Sequence, residues 1–151
     1  MNHADLAREY FRRGYTCAQA VTLAFSDLLP LEETQAMRLA SSFGGGMAGL
    51  REACGAVSGM LIVAGLLYGF DEPNNLAVKQ AHYARIQALV HAFVGKNGSM
   101  NCRALLEQAG VPVLPTPSER TPEYYEKRPC ERLIGEAAEL LDRLLEEEAA
   151  R

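Results

Sequence analysis

The chain has 151 residues, about the length of one domain, and its content of 48% hydrophobic and 23% charged residues is that of a globular protein. Its formal net charge is −4 and no cluster of lysine or arginine stands out, which argues against a nucleic-acid-binding protein, because such proteins carry a basic surface. We therefore expect a single domain over residues 1–151 and no nucleic-acid partner.

The apolar residues recur at helical spacing along nearly the whole chain. Gly14 ends the first predicted helix and Pro30 the second, and Thr16 with Gln19 forms a capping-box pattern at the start of the second. In chain order, the predicted helices cover about residues 4–13, 17–29, 32–42, 54–69, 76–95, 102–108 and 130–148. The sequence thus predicts an all-α fold, a bundle of about five to seven helices.

The fourth of these helices lies in an uncharged run of 18 residues, Ala53–Phe70, which reaches the threshold for a membrane-spanning helix. The run is rich in glycine, lacks a basic flank on one side and is the only one of its kind. We interpret it as a central helix buried by its neighbours rather than a membrane anchor. The N-terminus has no basic region leading into an apolar stretch, so we expect no secretory signal and a cytoplasmic protein.

Residues 111–129 contain five of the seven prolines. No helical or strand pattern is visible there, and we expect a long loop without regular structure. A loop of this length in a compact domain is either a functional cover or a mobile strap.

Four cysteines, Cys17, Cys54, Cys102 and Cys130, are the candidate functional residues. They are separated by 36, 47 and 27 residues, so there is no C-x-x-C pair, no zinc-finger spacing and no haem attachment motif. Each nevertheless falls at or near the predicted start of a helix. Free N–H groups and a partial positive charge at a helix start stabilise a thiolate, which is the nucleophilic and metal-binding form. This placement favours redox or metal chemistry.

A structural alternative stays open, because free cysteine is among the most buried residue types and behaves as a small apolar residue. Gly55 and Gly59 lie one turn apart beside Cys54, and glycine in a helix costs about 0.5–1 kcal/mol relative to alanine. Such a cost is tolerated where backbone comes close to a second helix or to a bound cluster. We therefore predict that both glycines line the cysteine site.

The chain resembles the C_GCAxxG_C_C family of small bacterial and archaeal proteins. The motif that carries the resemblance is Cys54-Gly55-Ala56-Val57-Ser58-Gly59. Three further matches support it: the stretch from Gly14 to Val21 around the first cysteine, the glycine-rich turn Ser42–Met47, and Cys102 with Cys130 as the third and fourth cysteines. Members are described as redox proteins, so the resemblance implies a redox role for the four cysteines, with an iron–sulfur cluster as one means.

The leading interpretation is that four thiolates from separate helices hold an iron–sulfur cluster for electron transfer or sensing, with a redox partner that the sequence does not identify. One alternative is a cofactor-free protein in which two cysteines cycle through a disulfide. Others are a tetrahedral structural zinc site and a helical interaction module, for example a homodimer, with inert cysteines. Whether the protein is an enzyme is left open by the sequence.

Overall fold

The computed structural model describes residues 1–151 and contains eight α-helices and no β-sheet. The helices are α1 (His3–Arg12), α2 (Cys17–Ala24), α3 (Glu33–Ala40), α4 (Gly55–Tyr68), α5 (Leu76–Asn97), α6 (Cys102–Gln108), α7 (Pro122–Lys127) and α8 (Cys130–Ala149). Two single turns, Ser41–Phe43 and Gly44–Met47, follow α3. The predicted all-α fold is confirmed.

Two of the helices that begin with a cysteine are capped by the residue before them. Thr16 and Gln19 make both hydrogen bonds of the predicted capping box before α2, at 3.2 and 3.1 Å. The Asn101 Oδ1 accepts a hydrogen bond from the Ala104 amide at 2.9 Å and caps α6. A cap of this kind stabilises a helix by about 1 kcal/mol. The caps therefore fix the residues at which α2 and α6 begin.

Helices α1, α2, α4 and α8 enclose the hydrophobic core. Every residue of α2 from Ala18 to Ala24 is buried, because α2 lies between its neighbours. The core contains nine large and fully buried side chains: Phe11, Val21, Phe25, Val57, Met60, Val63, Phe93, Ile134 and Leu141. Burial of one such side chain contributes about 1.5–3 kcal/mol. The core therefore holds together helices from both ends of the chain.

Polar contacts also join α1 to α8. The His3 ring stacks on Phe25 with centroids 4.1 Å apart, and its two nitrogens lie 2.7 Å from Asp142 and 3.0 Å from Asp27. Burial lowers the pKa of His3, but the two carboxylates outweigh burial and raise it. Two further ion pairs between α1 and α8 are Arg8 with Glu139 and Arg12 with Glu131.

Helix α4 packs closely against α2 because Gly59 has no side chain. A Cβ at Gly59 would lie 2.8 Å from the Ala18 carbonyl oxygen and 3.0 Å from the Val21 Cβ. The first half of α4 is buried as predicted, whereas Leu66 near its other end is 36% exposed. No helix is both long enough and apolar enough to cross a bilayer.

Helix α2 ends at Ala24, five residues earlier than predicted. The next residues continue in tighter turns, in which the Ser26 amide bonds to the Leu23 carbonyl three residues back, at 3.1 Å. The Ser26 hydroxyl donates to the same carbonyl at 2.7 Å. This side-chain bond competes with the α-helical pattern and explains the early end.

The prediction of a loop throughout 111–129 is wrong, because the segment contains α7. The bundle accordingly has eight helices rather than five to seven. Thr121 caps α7 by accepting a hydrogen bond from the Tyr124 amide at 3.2 Å, and a proline takes the first helical position. The Lys127 Nζ lies 2.6 Å from the Glu123 Oε1 one turn away. These local signals outweigh the high proline content.

Candidate functional site

The four cysteines lie around one cavity of about 310 Å³. Cys17, Cys102 and Cys130 are the first residues of α2, α6 and α8, and Cys54 directly precedes α4. The prediction that each cysteine stands at a helix start is confirmed. The fold thus brings together four thiols that are far apart in sequence.

A short antiparallel backbone pairing holds Cys54 beside Cys102. The Cys54 amide donates to the Met100 carbonyl at 2.7 Å, and the Cys102 amide donates to the Glu52 carbonyl at 2.6 Å. Ala53 and Asn101, which each lie between the two hydrogen-bonded residues of their segment, form an isolated β-bridge. This pairing fixes the starts of α4 and α6 relative to each other.

Glycines allow backbone to approach two of the cysteines. A Cβ at Gly55 would lie 2.9 Å from the Cys17 Cβ, and one at Gly46 would lie 2.6 Å from the Cys102 Cβ. Gly46 also has a φ of +67°, which favours glycine. Gly55 lines the cavity as expected, whereas Gly59 is not among its lining residues and packs against α2.

Cys17 and Cys130 form a thiol pair. A hydrogen bond from the Cys17 thiol lowers the pKa of Cys130 to about 7, although burial opposes this shift. The charges of Arg128, Arg120 and Arg51 lower it further. The same interaction, together with burial, raises the pKa of Cys17 well above its ordinary value. Cys130 is therefore the thiol of this pair that ionises more readily, and Cys17 is the one that stays protonated.

The pKa of the Cys54 thiol is shifted in the opposite direction to that of Cys130, upwards. Its side chain is 6% exposed, and burial raises the pKa of its thiol to about 12. The amides of Ala56 and Val57 at the start of α4 act in the other direction but do not compensate. A helix start alone therefore does not make a cysteine reactive when the thiol is desolvated.

Arg51 is a buried arginine, 6% exposed, that meets no carboxylate. Its Nε and Nη2 donate to the Leu114 carbonyl oxygen at 2.9 and 2.7 Å, and its Nη1 lies 3.6 Å from the Cys102 Sγ. Its backbone φ is +60°, a conformation that costs a non-glycine residue about 1–3 kcal/mol. The strained backbone aims this guanidinium at the cysteine site.

Residues 111–121, which we call the strap, cross the cavity between α6 and α7. Pro115–Ser118 line it, and the Pro115 carbonyl oxygen packs against Gly49, where a Cβ would lie only 2.1 Å away. Beyond the strap, the Tyr125 hydroxyl donates to the Phe11 carbonyl at 3.3 Å. The strap is therefore held against the bundle at both ends.

Two more arginines reach the cavity from this side. Arg120 donates to the Phe11 and Tyr15 carbonyls at 3.3 and 3.1 Å, and its guanidinium carbon lies 4.8 Å from the centre of the Tyr124 ring. The guanidinium carbon of Arg128 lies 4.3 Å from the same ring centre. All three side chains line the cavity. Tyr124 thus supports two positive charges near the thiol pair.

The sequence does not predict Arg51, Arg120 or Arg128 as site residues. Arg128 lies two positions before Cys130 and Arg51 three before Cys54, so nearness to a cysteine was an available signal for both. Arg120 carries no such signal, because only the path of the strap brings it to the cavity.

No three histidine, cysteine or acidic side chains are grouped so that they could hold a metal ion. The thiols surround a volume rather than a point, and a tetrahedral zinc needs its ligands about 2.0–2.3 Å from one centre. As arranged in this structure, the four thiols therefore do not form a single-metal site.

No curated protein and no solved structure is detectably similar to the chain. The model of one protein family matches residues 15–144, which is most of the chain and includes all four cysteines. That family is described as "Putative redox-active protein (C_GCAxxG_C_C)". The chain belongs to the C_GCAxxG_C_C family, to which the residues around Cys54 point in the sequence.

Proposed function

We propose that the protein is a thiol redox protein in which Cys17 and Cys130 interconvert between a dithiol and a disulfide. The observation that carries the proposal is that Cys17 and Cys130 line one cavity together with three arginines, and each of the two thiols shifts the pKa of the other. A thiolate beside a protonated thiol is the arrangement that thiol–disulfide exchange requires. The description of the family supports a redox role.

The exchange begins when the Cys130 thiolate attacks one sulfur of an acceptor disulfide. The acceptor S–S bond breaks, a mixed disulfide forms, and one thiolate leaves and takes up a proton. The Cys17 thiol then loses its proton and attacks the Cys130 sulfur, which releases the second thiol. The two cysteines have given two electrons to the acceptor, Cys17 and the solvent have each supplied one proton, and a dithiol donor reverses the reaction.

The test is to oxidise the fully reduced protein with a mild disulfide oxidant, count the remaining thiols and map the linkage by peptide mass spectrometry. We expect one disulfide per chain, joining Cys17 to Cys130. Cys130→Ser should abolish it, and Cys54→Ser, which replaces a thiol held protonated, should retain it. A disulfide between other cysteines, or four thiols that survive the oxidant, would contradict the proposal.

An iron–sulfur cluster is the second candidate, and the placement of all four cysteines around one cavity of about 310 Å³ favours it. Cys17, Cys54, Cys102 and Cys130 would hold the irons, and the bound cluster would supply one-electron transfer. The arginines would balance its negative charge. Iron with matching acid-labile sulfide in protein purified without oxygen, lost on replacement of any one cysteine by serine, would establish this candidate over the first.

A further inference from the structure

Three basic side chains and no carboxylate line the cavity. Arg51, Arg120 and Arg128 are its charged residues and no acidic side chain lines it, although the protein as a whole has a net charge of −4. None of the three arginines takes part in an ion pair. Their hydrogen-bond acceptors are backbone carbonyls, a serine hydroxyl and a thiol.

Elsewhere the fold provides a carboxylate for a secluded arginine. The Arg85 side chain is 16% exposed, and its Nε lies 3.0 Å from the Glu148 Oε1. An uncompensated charge in a sheltered site is costly unless a counter-ion is supplied. Arg51 is buried and Arg120 and Arg128 are half-buried, so the cavity presents positive charge that favours an anion.

Arg128 is the arginine best placed to take that anion. Its one hydrogen bond runs from Nη2 to the Ser118 hydroxyl at 3.3 Å, so most of its five donors are free, and a guanidinium fork matches a carboxylate. The cavity volume, about 310 Å³, lies at the lower end of the range for small-molecule sites, about 300–1,000 Å³. The same cavity holds the Cys17–Cys130 thiol pair.

We propose that the cavity accepts a small disulfide bearing carboxylate groups, with a carboxylate on Arg128 and the sulfur–sulfur bond at Cys130. The inference rests on the thiol redox function proposed above and names its substrate class. The acceptor disulfide takes two electrons from the thiol pair, one proton from Cys17 and one from solvent, and leaves as two thiols that carry carboxylates.

The experiment compares three small disulfides that differ in charge: dithiodipropionate, which is negative, hydroxyethyl disulfide, which is neutral, and cystamine, which is positive. The rate at which each oxidises the reduced protein is divided by its rate with N-acetylcysteine amide, a neutral thiol, which corrects for the leaving thiol without adding a charge effect. We expect the corrected rate for dithiodipropionate to exceed that for cystamine at least about tenfold. Added salt should reduce the ratio.

Arg128→Gln should remove most of this preference. The readout is the ratio of the corrected rate for dithiodipropionate to that for cystamine. Arg128 also lowers the pKa of Cys130, so its loss slows all three reactions, and a ratio cancels this common effect. Arg103→Gln is the matched control, since Arg103 is exposed, lies next to Cys102 and does not line the cavity. A ratio unchanged in Arg128→Gln would overturn the assignment of Arg128.

A second measurement separates the failure of this inference from failure of the redox function. Suberate has the shape and charge of dithiodipropionate but no disulfide, and its binding is measured by calorimetry. Suberate binding that depends on Arg128, with no reaction of any disulfide, would support the anion site and overturn the redox function. Equal corrected rates for the three disulfides, with no suberate binding, would overturn the anion site and leave the redox function standing.

Discussion

The ionisation of Cys130 depends first on its neighbour Cys17 and only then on the surrounding arginines. The hydrogen bond from the Cys17 thiol stabilises the thiolate against the cost of burial. Reactivity at this site is thus a property of the pair, and a variant of either cysteine changes both.

Cys17→Ala should raise the pKa of Cys130, because the donor is lost. Cys17→Ser keeps an O–H donor and should raise it less. Only the thiolate is alkylated. In the wild type, the rate of Cys130 alkylation should therefore rise as the pH increases through about 7 and fall as the pH decreases below it. The measurement is the rate of iodoacetamide labelling of Cys130 against pH, and the same midpoint in the wild type and Cys17→Ala would contradict the hydrogen bond.

At the same scale, the cysteines could be predicted from sequence and the arginines could not. A cap or a proline before a cysteine is a local signal, and it is present at Cys17, Cys102 and Cys130. Arg51 owes its place to a positive φ and a contact with Leu114 in the strap. Neither follows from residue type or spacing.

Among the elements, α4 contains three glycines, and two of them, Gly55 and Gly65, differ in what surrounds them. The position of Gly55 is filled on three sides, by the Cys17 Cβ, the Ala18 amide and the Phe43 carbonyl. Gly65 has nothing within 4 Å of the position where a Cβ would stand. Alanine substitutions at these two glycines therefore separate the free-energy cost of a steric contact from the preference of a helix for alanine.

Gly55→Ala should lower the free energy of unfolding by about 1–3 kcal/mol, because the added methyl group crowds the start of α2. Gly65→Ala should raise it by about 0.5–1 kcal/mol, because alanine restricts the unfolded chain and no contact opposes it. Urea denaturation of the two variants and the wild type measures both changes. Equal changes in the free energy of unfolding for the two substitutions would show that α4 does not pack tightly against Cys17.

Helix type and order followed from apolar spacing, whereas the presence of α7 and the end of α2 did not. The sequence before Tyr124 contains the cap, proline and acidic residue that start a helix, and the prolines of the strap obscured them. The early end of α2 depends on a side-chain bond from Ser26, which apolar spacing does not register. Local hydrogen bonding, rather than the hydrophobic pattern, decided both differences.

For the whole molecule, a disulfide between Cys17 and Cys130 would enclose most of the chain in one loop. In the chain-entropy description, closing a loop of about 100 residues stabilises the folded state by about 4.7 kcal/mol, and measured gains are typically about 2–4 kcal/mol. The oxidised protein should therefore unfold at a higher urea concentration than the reduced one, by about 2–4 kcal/mol. The one domain predicted over residues 1–151 should unfold in a single transition.

Cys130→Ser, which cannot form the bond, should show the same stability with and without oxidant. If the oxidised wild type were no more stable than the reduced form, the disulfide would be strained or would join other residues. Peptide mapping of the same samples tells these two cases apart.

The packing of α8 against α1 has a consequence for how the site is assembled on the ribosome. Cys17, Cys54 and Cys102 emerge first, but Cys130 and the apolar face that covers Phe11 emerge with the eighth helix. At about 5–20 residues per second, α1 and α2 wait several seconds for that helix. The low-pKa thiol belongs to that last helix, so a nascent chain carries three cysteines and lacks the reactive one, Cys130, until α8 docks.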